Sequence, residues 1–243
     1  PWHMVFTIVG LFMGVGLVLT LVIDEAIADP VPPKTLREAV VEPFREFIGR
    51  NGPGSAALIL AFLFLYKLGD NMATALQSPF FIDMGFTLTQ IGSVAKFAAL
   101  VAATVGGLFG GVVMIKLGIN RALWIFGVVQ VVSILGFWLL SIVGANLWML
   151  GAVNAFEYLG VGLGTAAFTA YIARTTNPVF AATQFALFTA LIAVPRTLAN
   201  AVTGLIVEQT GWTNFFLLCT VLAIPGMLLL FKVAPWNGDD VDA

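Results

Sequence analysis

Five charged side chains lie inside otherwise apolar stretches of this sequence. They are the residues that could exchange a proton or bind an ion there. They are Lys67, Asp70, Lys96, Glu157 and Arg196. A charge at the centre of a lipid bilayer costs about 3 kcal/mol on insertion scales, so such residues usually face a partner or a water-filled cavity. The pattern predicts a solute carrier in which an acid exchanges a proton and cations hold an anionic substrate.

The spacing of these charges favours one shared cavity near the middle of the membrane. Lys67 and Asp70 are three residues apart and therefore share one face of a helix. At a rise of about 1.5 Å per residue, the charges of the other apolar stretches fall at comparable depth. We predict Asp70 and Glu157 as proton-coupling residues. The alternative, that the charges neutralise one another as structural pairs, stays open.

The candidate substrate contacts are the cations of this group and nearby polar side chains that can form hydrogen bonds with a sugar or a peptide. The full set is Lys67, Lys96, Arg196, Gln184, Asn154 and Tyr66. Other polar residues of the apolar stretches, Gln77 and Gln130 among them, are more typical of hydrogen bonds between helices. Glycines at small-xxx-small spacing indicate close helix packing. Those pairs are Gly10/Gly14, Gly106/Gly110, Gly107/Gly111 and Gly160/Gly164.

Composition places the elements that carry these residues in a membrane. The chain has 243 residues, of which 60% are hydrophobic and 10% charged, with a mean hydropathy of +1.00. A soluble domain would carry roughly 25% charged residues, and apolar runs of about 20 residues span a bilayer. We therefore predict an all-α membrane protein with seven transmembrane helices. They cover Trp2–Ile23, Gly54–Phe81, Thr87–Leu117, Arg121–Val143, Leu147–Thr175, Pro178–Gln209 and Trp212–Val233.

The segment between the first two spans is the one long connection, and it is amphipathic in its second part. Thr35 and Glu38 have the spacing of a capping box at a helix start, and Pro43 should split the segment into two short helices. We divide the chain into a first helix (1–23), an amphipathic linker (24–53), a six-helix bundle (54–234) and an acidic tail (235–243).

Positive charges predict the orientation of the spans. Eight of the eleven Lys and Arg residues flank the linker and alternate loops, whereas the loops near Ile82–Phe86, Gly144–Asn146 and Thr210–Gly211 contain none. By the positive-inside rule the linker is cytoplasmic and those three loops are external.

Several classes of function are excluded by what the sequence lacks. The net charge is −2 without a basic tract, so nucleic acid is not an expected partner. One cysteine and one histidine cannot build a metal or haem site, and no phosphate loop, HExxH or GxSxG motif is present. We expect a secondary active transporter, not an enzyme, with no cofactor other than protons as the coupling ion. Because the chain starts at Pro1, we also expect that it begins inside a longer polypeptide.

One span, a linker and six further spans resemble half of a major facilitator superfamily carrier, which joins two six-helix bundles through such a linker. The run Gly111-Val-Val-Met-Ile-Lys116-Leu-Gly118-Ile-Asn-Arg121 is a partial match to that superfamily's loop motif, with Ile115 in place of the usual acid. The resemblance implies a partial major facilitator fold, with one helix from the N-terminal half and the whole C-terminal bundle. The N-terminal bundle of the same polypeptide would then be a missing partner.

Longer runs are similar to AmpG-type muropeptide permeases and together cover nearly the whole chain. The resemblance is carried by the linker Thr35–Asn51, by Leu65-Tyr-Lys67-Leu-Gly-Asp70 followed by Lys96, by Phe156-Glu157 leading into Gly162-Leu-Gly164-Thr-Ala-Ala-Phe168, by Ala182-Thr-Gln184-Phe-Ala-Leu187 leading to Arg196, and by Gly211-Trp-Thr-Asn-Phe215.

This resemblance implies a carrier of the bacterial inner membrane that imports anhydro-muropeptides from periplasm to cytoplasm. It further implies dependence on the proton-motive force, a role in peptidoglycan recycling and a link to β-lactamase induction. The substrate would be a glycopeptide with hydroxyl, amide and free carboxylate groups, and the lipid bilayer would be the other partner.

Three other functions fit parts of the pattern. The main alternative is a proton-coupled major facilitator carrier for another sugar, a drug or an acyl-coenzyme substrate. A seven-helix receptor or retinal protein fits the number of spans, but a retinal protein needs a lysine in the middle of its last span, and Lys232 lies at the end of it. A noncatalytic membrane scaffold would tolerate apolar replacement of Asp70, Lys96 and Glu157.

Overall fold

The computed structural model describes residues 2–23 and 35–238, and for residues 36–39 it describes the backbone alone. Every regular element within these ranges is helical. The chain divides into two compact units, residues 1–32 and 33–243, and each is described by itself.

The first unit contains helix α1, Trp2–Val22. Its 21 apolar residues extend about 30 Å at 1.5 Å per residue, which matches the hydrocarbon thickness of a bilayer. Thr7 donates its hydroxyl hydrogen to the His3 carbonyl at 2.8 Å, and Thr20 donates to Gly16 at 2.9 Å. Both hydroxyls are therefore satisfied inside the helix, as a lipid environment requires.

The second unit starts with α2, Leu36–Asn51, which runs without interruption through Pro43. The prediction that Pro43 splits the linker into two helices is wrong. A proline removes one helical hydrogen bond, but the next turn is fixed by tertiary contacts because Phe47 is buried and packs against Phe188 with ring centroids 5.0 Å apart. The side chain of Glu38, needed for the capping box, lies outside the described part of the structure.

The first long apolar stretch of this unit is broken twice. It forms α3 (Pro53–Leu65), α4 (Leu68–Ala75) and α5 (Gln77–Asp83). The breaks fall at Lys67, with φ −101° and ψ 3°, and at Leu76, with φ −104° and ψ 18°. Pro79 follows the second break within one turn, and its ring nitrogen cannot donate to the preceding turn. The breaks lie beside Asp70 and Gln77, two residues of the site described below.

The remaining helices complete the bundle. They are α6 (Leu88–Gln90), a π-helix (Ile91–Lys96), α7 (Phe97–Val143), α8 (Leu147–Thr175), a 3₁₀ turn (Pro178–Phe180) and α9 (Ala181–Val233). Non-helical residues divide the two longest helices: Gly118 in α7, with φ 76°, and Gly211 in α9, with φ 73°. Positive φ is readily adopted only by glycine. Both breaks fall where the sequence predicts a loop between two spans.

Close packing of small residues holds α8 against both parts of α7. A Cβ on Gly106 would lie 2.5 Å from the Leu159 carbonyl oxygen, and one on Gly160 would lie 3.2 Å from the Ser133 hydroxyl. The packing role predicted for Gly106/Gly110 and Gly160/Gly164 is confirmed. In contrast, a Cβ on Gly107 or Gly111 would meet no described atom within 4 Å. Gly10 and Gly14 belong to the first unit.

Four helical stretches among the described residues are long and apolar enough to cross a membrane: Trp2–Val22, Pro53–Asp83, Leu88–Val143 and Pro178–Val233. The protein is thus an all-α membrane protein. The glycine breaks divide two of these stretches, and Leu147–Thr175 adds a further helix of 29 residues. The number of seven spans stays a prediction.

Hydrogen bonds gather the predicted loops into two groups at opposite ends of the spans. The positively charged loops contact one another, and so do the loops without positive charge. The contacts are Arg50 Nη2 to Thr175 O (2.8 Å) and Arg174 Nη2 to Asn120 Oδ1 (2.6 Å) in the first group, and Trp212 Nε1 to Asp83 Oδ2 (3.1 Å) and Ser141 Oγ with Thr213 Oγ1 (2.9 Å) in the second. The alternation of loops follows the charge pattern, while the side on which each group lies stays a prediction.

Candidate substrate and proton site

A buried ion pair lies at the break between α3 and α4. Lys67 precedes the first turn of α4, and its ammonium donates to Asp70 Oδ2 at 3.0 Å. Each side chain is only 9% exposed. The second oxygen, Asp70 Oδ1, accepts no hydrogen bond from the described residues. The prediction that Lys67 and Asp70 are close neighbours is confirmed, but Lys67 is the non-helical residue that precedes α4 and so does not lie on a helix face with Asp70.

Glu157 of α8 joins this pair to form the acid cluster, which we define as Lys67, Asp70 and Glu157. Glu157 is 1% exposed, and neither of its carboxyl oxygens has a hydrogen-bond partner within the described ranges. Asp70, Lys67 and Ser133 nevertheless lie close enough to act on the Glu157 carboxyl electrostatically or as hydrogen-bonding groups. The cluster contains two acids and one cation, so it carries a net charge unless one acid is protonated.

Tyr66 and Gln130 border the acid cluster. Both line a small cavity beside Asp70. The Tyr66 hydroxyl donates to the Leu123 carbonyl at 2.8 Å, and Gln130 Nε2 has no acceptor among the described residues. The structure thus brings the candidate Tyr66 next to Asp70, while its substrate contact stays a prediction.

A second polar group, which we name the amide relay, is centred on Gln77 of α5. Gln77 Nε2 donates to Asn154 Oδ1 at 2.6 Å. Gln77 Oε1 accepts from Lys96 Nζ at 3.3 Å and from the Tyr158 hydroxyl at 3.1 Å. The relay therefore gathers two candidates, Lys96 and Asn154, around a residue that sequence reasoning assigned to helix packing.

Tyr158 is a residue that the sequence analysis missed. Its position directly after Glu157, in an apolar span, was the available signal. Glu157 and Asp70 act electrostatically on the Tyr158 hydroxyl, and so, more weakly, does Arg196 of α9, which is exposed. Lys96 is also exposed, and neither cation forms an ion pair with an acid in the described part of the chain.

Gln184 lies apart from both groups, in contact with the linker helix. Its Nε2 donates to Glu46 Oε2 at 2.6 Å and to the Pro43 carbonyl at 2.9 Å, and its Oε1 accepts from the Asn177 backbone at 2.7 Å. These bonds give Gln184 a structural role. Its role as a substrate contact stays untested.

The linker dock is the surface where α2 meets the connection between α8 and α9. Glu46 is its centre, since it accepts from Asn177 Nδ2 at 2.7 Å and from Arg50 Nε at 2.9 Å in addition to Gln184. Burial by itself would raise the pKa of Glu46, but hydrogen bonds from Asn177 and Gln184 and the charge of Arg50 outweigh burial and lower it. Glu46 is thus held as a charged acceptor.

Across residues 2–23 and 35–238, no three or more His, Cys, Asp or Glu side chains are arranged so that they could hold a metal ion. The charged groups described at the site are the buried acid cluster and the exposed cations Lys96 and Arg196.

Comparison of the sequence with known proteins identifies the family to which this chain belongs. No family model matches the chain. An uncharacterised protein of Haemophilus influenzae is 47% identical over 244 residues, covering 97% of this chain and 57% of its own length. The anhydromuropeptide permease of Escherichia coli K12 is 43% identical over 231 residues, covering 94% of this chain and 46% of the permease. By sequence, this chain belongs to the AmpG-type permease family.

A more distant member of that family matches part of the chain. A Rickettsia prowazekii protein, provisionally named transporter AmpG 1, is 35% identical over 176 residues, covering 72% of this chain and 40% of its own. The chain spans about half the length of the curated relatives that it matches. The relatives from Escherichia coli and Rickettsia prowazekii are named as a permease and a transporter, and these names do not favour a carrier for another sugar, a drug or an acyl-coenzyme.

Proposed function

We propose that this protein imports anhydro-muropeptides from the periplasm across the bacterial inner membrane, as a secondary active carrier driven by protons. The observation that carries the proposal is the 43% identity to the anhydromuropeptide permease of Escherichia coli, over 94% of this chain. Import of this kind returns cell-wall fragments to the cytoplasm for peptidoglycan recycling, and it would act upstream of β-lactamase induction.

The architecture that we propose is a major facilitator fold with its linker on the cytoplasmic side. The relatives are about twice as long as this chain, and we propose that an N-terminal bundle of the same polypeptide forms the other half of the cavity. The exposed cations Lys96 and Arg196 would then face that cavity, because a charge that faced lipid would cost about 3 kcal/mol. Carboxylates of a muropeptide are suitable anions for them.

Proton coupling is best supported at Glu157. Lys67 neutralises Asp70 at 3.0 Å, whereas Glu157 is 1% exposed and has no hydrogen-bond donor among the described residues. Burial of an unpaired charge costs several kcal/mol, so the occluded state favours a protonated Glu157. Its hydroxyl could donate to Asp70 Oδ1, which lacks a partner. Opening of the cavity to water would let Glu157 release the proton, and Asp70 would hold Lys67 in place.

The test is uptake of labelled anhydro-muropeptide into proteoliposomes that contain the complete gene product. We expect the labelled muropeptide to accumulate in the proteoliposomes when their lumen is alkaline relative to the outside. When a protonophore is added, we expect the muropeptide concentration inside only to equal that outside. Absence of uptake by correctly inserted protein, with or without the gradient, would refute the proposal. Competition by unlabelled sugars, drugs or acyl-coenzymes, but not by unlabelled muropeptide, would point to the alternative carrier.

A further inference from the structure

The hydrogen bonds of the amide relay have a fixed direction. Asn154 Nδ2 donates to the backbone carbonyl of Leu150 at 3.1 Å, which leaves Asn154 Oδ1 as an acceptor. Gln77 Nε2 donates to that oxygen at 2.6 Å. Since a backbone carbonyl can only accept, the chain of donors forces Gln77 Oε1 to face Lys96 and Tyr158.

The orientation of Gln77 determines where two functional groups of the cavity wall lie. Gln77 is buried, with 2% of its surface exposed, whereas Lys96 is exposed and Tyr158 is half-buried. The Lys96 ammonium uses one of its three hydrogens on Gln77 Oε1. The other two ammonium hydrogens remain available to a ligand that accepts hydrogen bonds, whereas the only hydroxyl hydrogen of Tyr158 is used on Gln77 Oε1.

A second exposed cation, Arg196, lies on another helix, α9. Glu157 and Asp70 act electrostatically on the Tyr158 hydroxyl, and Arg196 does so more weakly. Within the described chain neither Arg196 nor Lys96 forms an ion pair with an acid, and two exposed cations without such a partner are suited to bind an anion. Planar guanidinium groups bind carboxylates with two parallel hydrogen bonds, and an ammonium adds a point charge.

We propose that Lys96 and Arg196 form a subsite for a substrate carboxylate, and that Gln77 is the positioning residue that orients Lys96. The proposal rests on the function proposed above and identifies the group of the muropeptide that this wall of the cavity recognises: a free carboxylate of the peptide. The Tyr158 hydroxyl uses its only hydrogen on Gln77 Oε1, so it helps to hold Gln77 and does not itself bind the carboxylate.

The experiment measures binding of anhydro-muropeptide and of its fully amidated form to the complete gene product in detergent, by calorimetry. The wild type should bind the free acid about tenfold more tightly than the amide, which corresponds to about 1.4 kcal/mol. Gln77→Glu places a carboxylate against Lys96 and should abolish most of this preference, with little effect on the amide. Gln90→Glu is the matched control, because it retains the capping box with Thr87 and should leave the preference intact.

Two further variants keep the test decisive if Gln77→Glu does not fold. Lys96→Gln changes an exposed side chain and should also reduce the preference for the free acid. Tyr158→Phe should reduce it by a smaller factor, because Gln77 Oε1 loses one of its two donors. Equal weakening of both ligands in all three variants would show that the relay only supports packing and would overturn the subsite, as would a wild type that binds both ligands equally. Failure of transport by a protein that retains the preference would refute the carrier function alone.

Discussion

The linker dock and the acid cluster each combine an acid with a cation, but they satisfy the acid in opposite ways. Glu46 in the dock accepts three side-chain hydrogen bonds, from Arg50, Asn177 and Gln184. In the acid cluster Asp70 accepts one, from Lys67, and Glu157 accepts none within the described ranges.

This difference separates a structural carboxylate from one whose charge depends on its surroundings. A carboxylate with several donors stays charged and fixes the segments that supply them. A buried carboxyl without donors is stable as a neutral acid and becomes charged when water or a cation reaches it. The comparison therefore places rigidity at the linker and supports the proposal that Glu157, inside the bundle, exchanges the proton.

The largest expected effect tests the buried pair. Lys67→Met leaves Asp70 charged and unpaired in the interior, and loss of one partner of a buried pair costs about 3–5 kcal/mol. The free energy of unfolding in mixed micelles measures it. Arg50→Met in the dock is the matched control and should cost about 1 kcal/mol or less, because Arg50 is 39% exposed. Equal losses for the two variants would contradict the comparison, and Lys67→Met with Asp70→Leu should recover most of the stability.

Glu157→Gln tests proton exchange directly. The amide has the shape of the neutral acid, so the fold should persist, while accumulation driven by a pH gradient should fall by about tenfold or more because no proton can be released. Uptake into proteoliposomes at several imposed gradients gives the measurement. Asp83→Asn, on an exposed acid that accepts from Trp212, should leave accumulation unchanged. Normal gradient-driven accumulation by Glu157→Gln would remove this residue from the mechanism.

Gly162→Ala tests whether the bundle that carries the acid cluster depends on the close approach of α8, the helix of Glu157, to α7. A Cβ on Gly162 would collide with the Ala103 carbonyl oxygen and the Gly107 nitrogen, and overpacking costs about 1–3 kcal/mol. Gly111→Ala is the control, since its Cβ would meet no described atom within 4 Å. Unfolding experiments on both variants should separate them. If the two variants lose the same stability, the close approach of α8 to α7 at Gly162 does not stabilise the bundle.

The smallest effect concerns the pH dependence of the dock. Because the pKa of Glu46 is lowered in the folded state, its contribution is fully present above the ordinary carboxyl range and is lost as pH falls through the lowered pKa. Hydrogen exchange of the α2 backbone should therefore accelerate only in strong acid. Glu46→Gln should accelerate it at neutral pH, whereas Glu42→Gln, next to exposed Arg45, should not. Identical exchange in the two variants would exclude Glu46 as the centre of the dock.

Prediction from the sequence was strongest where hydropathy and spacing act locally. The all-α membrane class, the breaks at Gly118 and Gly211, and the packing of Gly106 and Gly160 were all predicted. It failed for Pro43, where long-range contacts of the linker with Phe188 and Gln184 sustain a helix that local propensity would interrupt. It did not foresee that Gln184 holds the linker, and the substrate contact predicted for Gln184 stays a prediction.

The sequence by itself determined the all-α membrane class, the charges that the apolar stretches contain and the proximity of Lys67 to Asp70, because these follow from the cost of exposing polar groups to lipid and from helical spacing. Only the tertiary structure decided that the helix breaks at Lys67 and which distant charge joins that pair. Glu157 belongs to a helix about 90 residues away in sequence from Lys67. Gln77 and Tyr158 gain their positions in the same way, since side-chain contacts between distant helices depend on packing that no local pattern encodes.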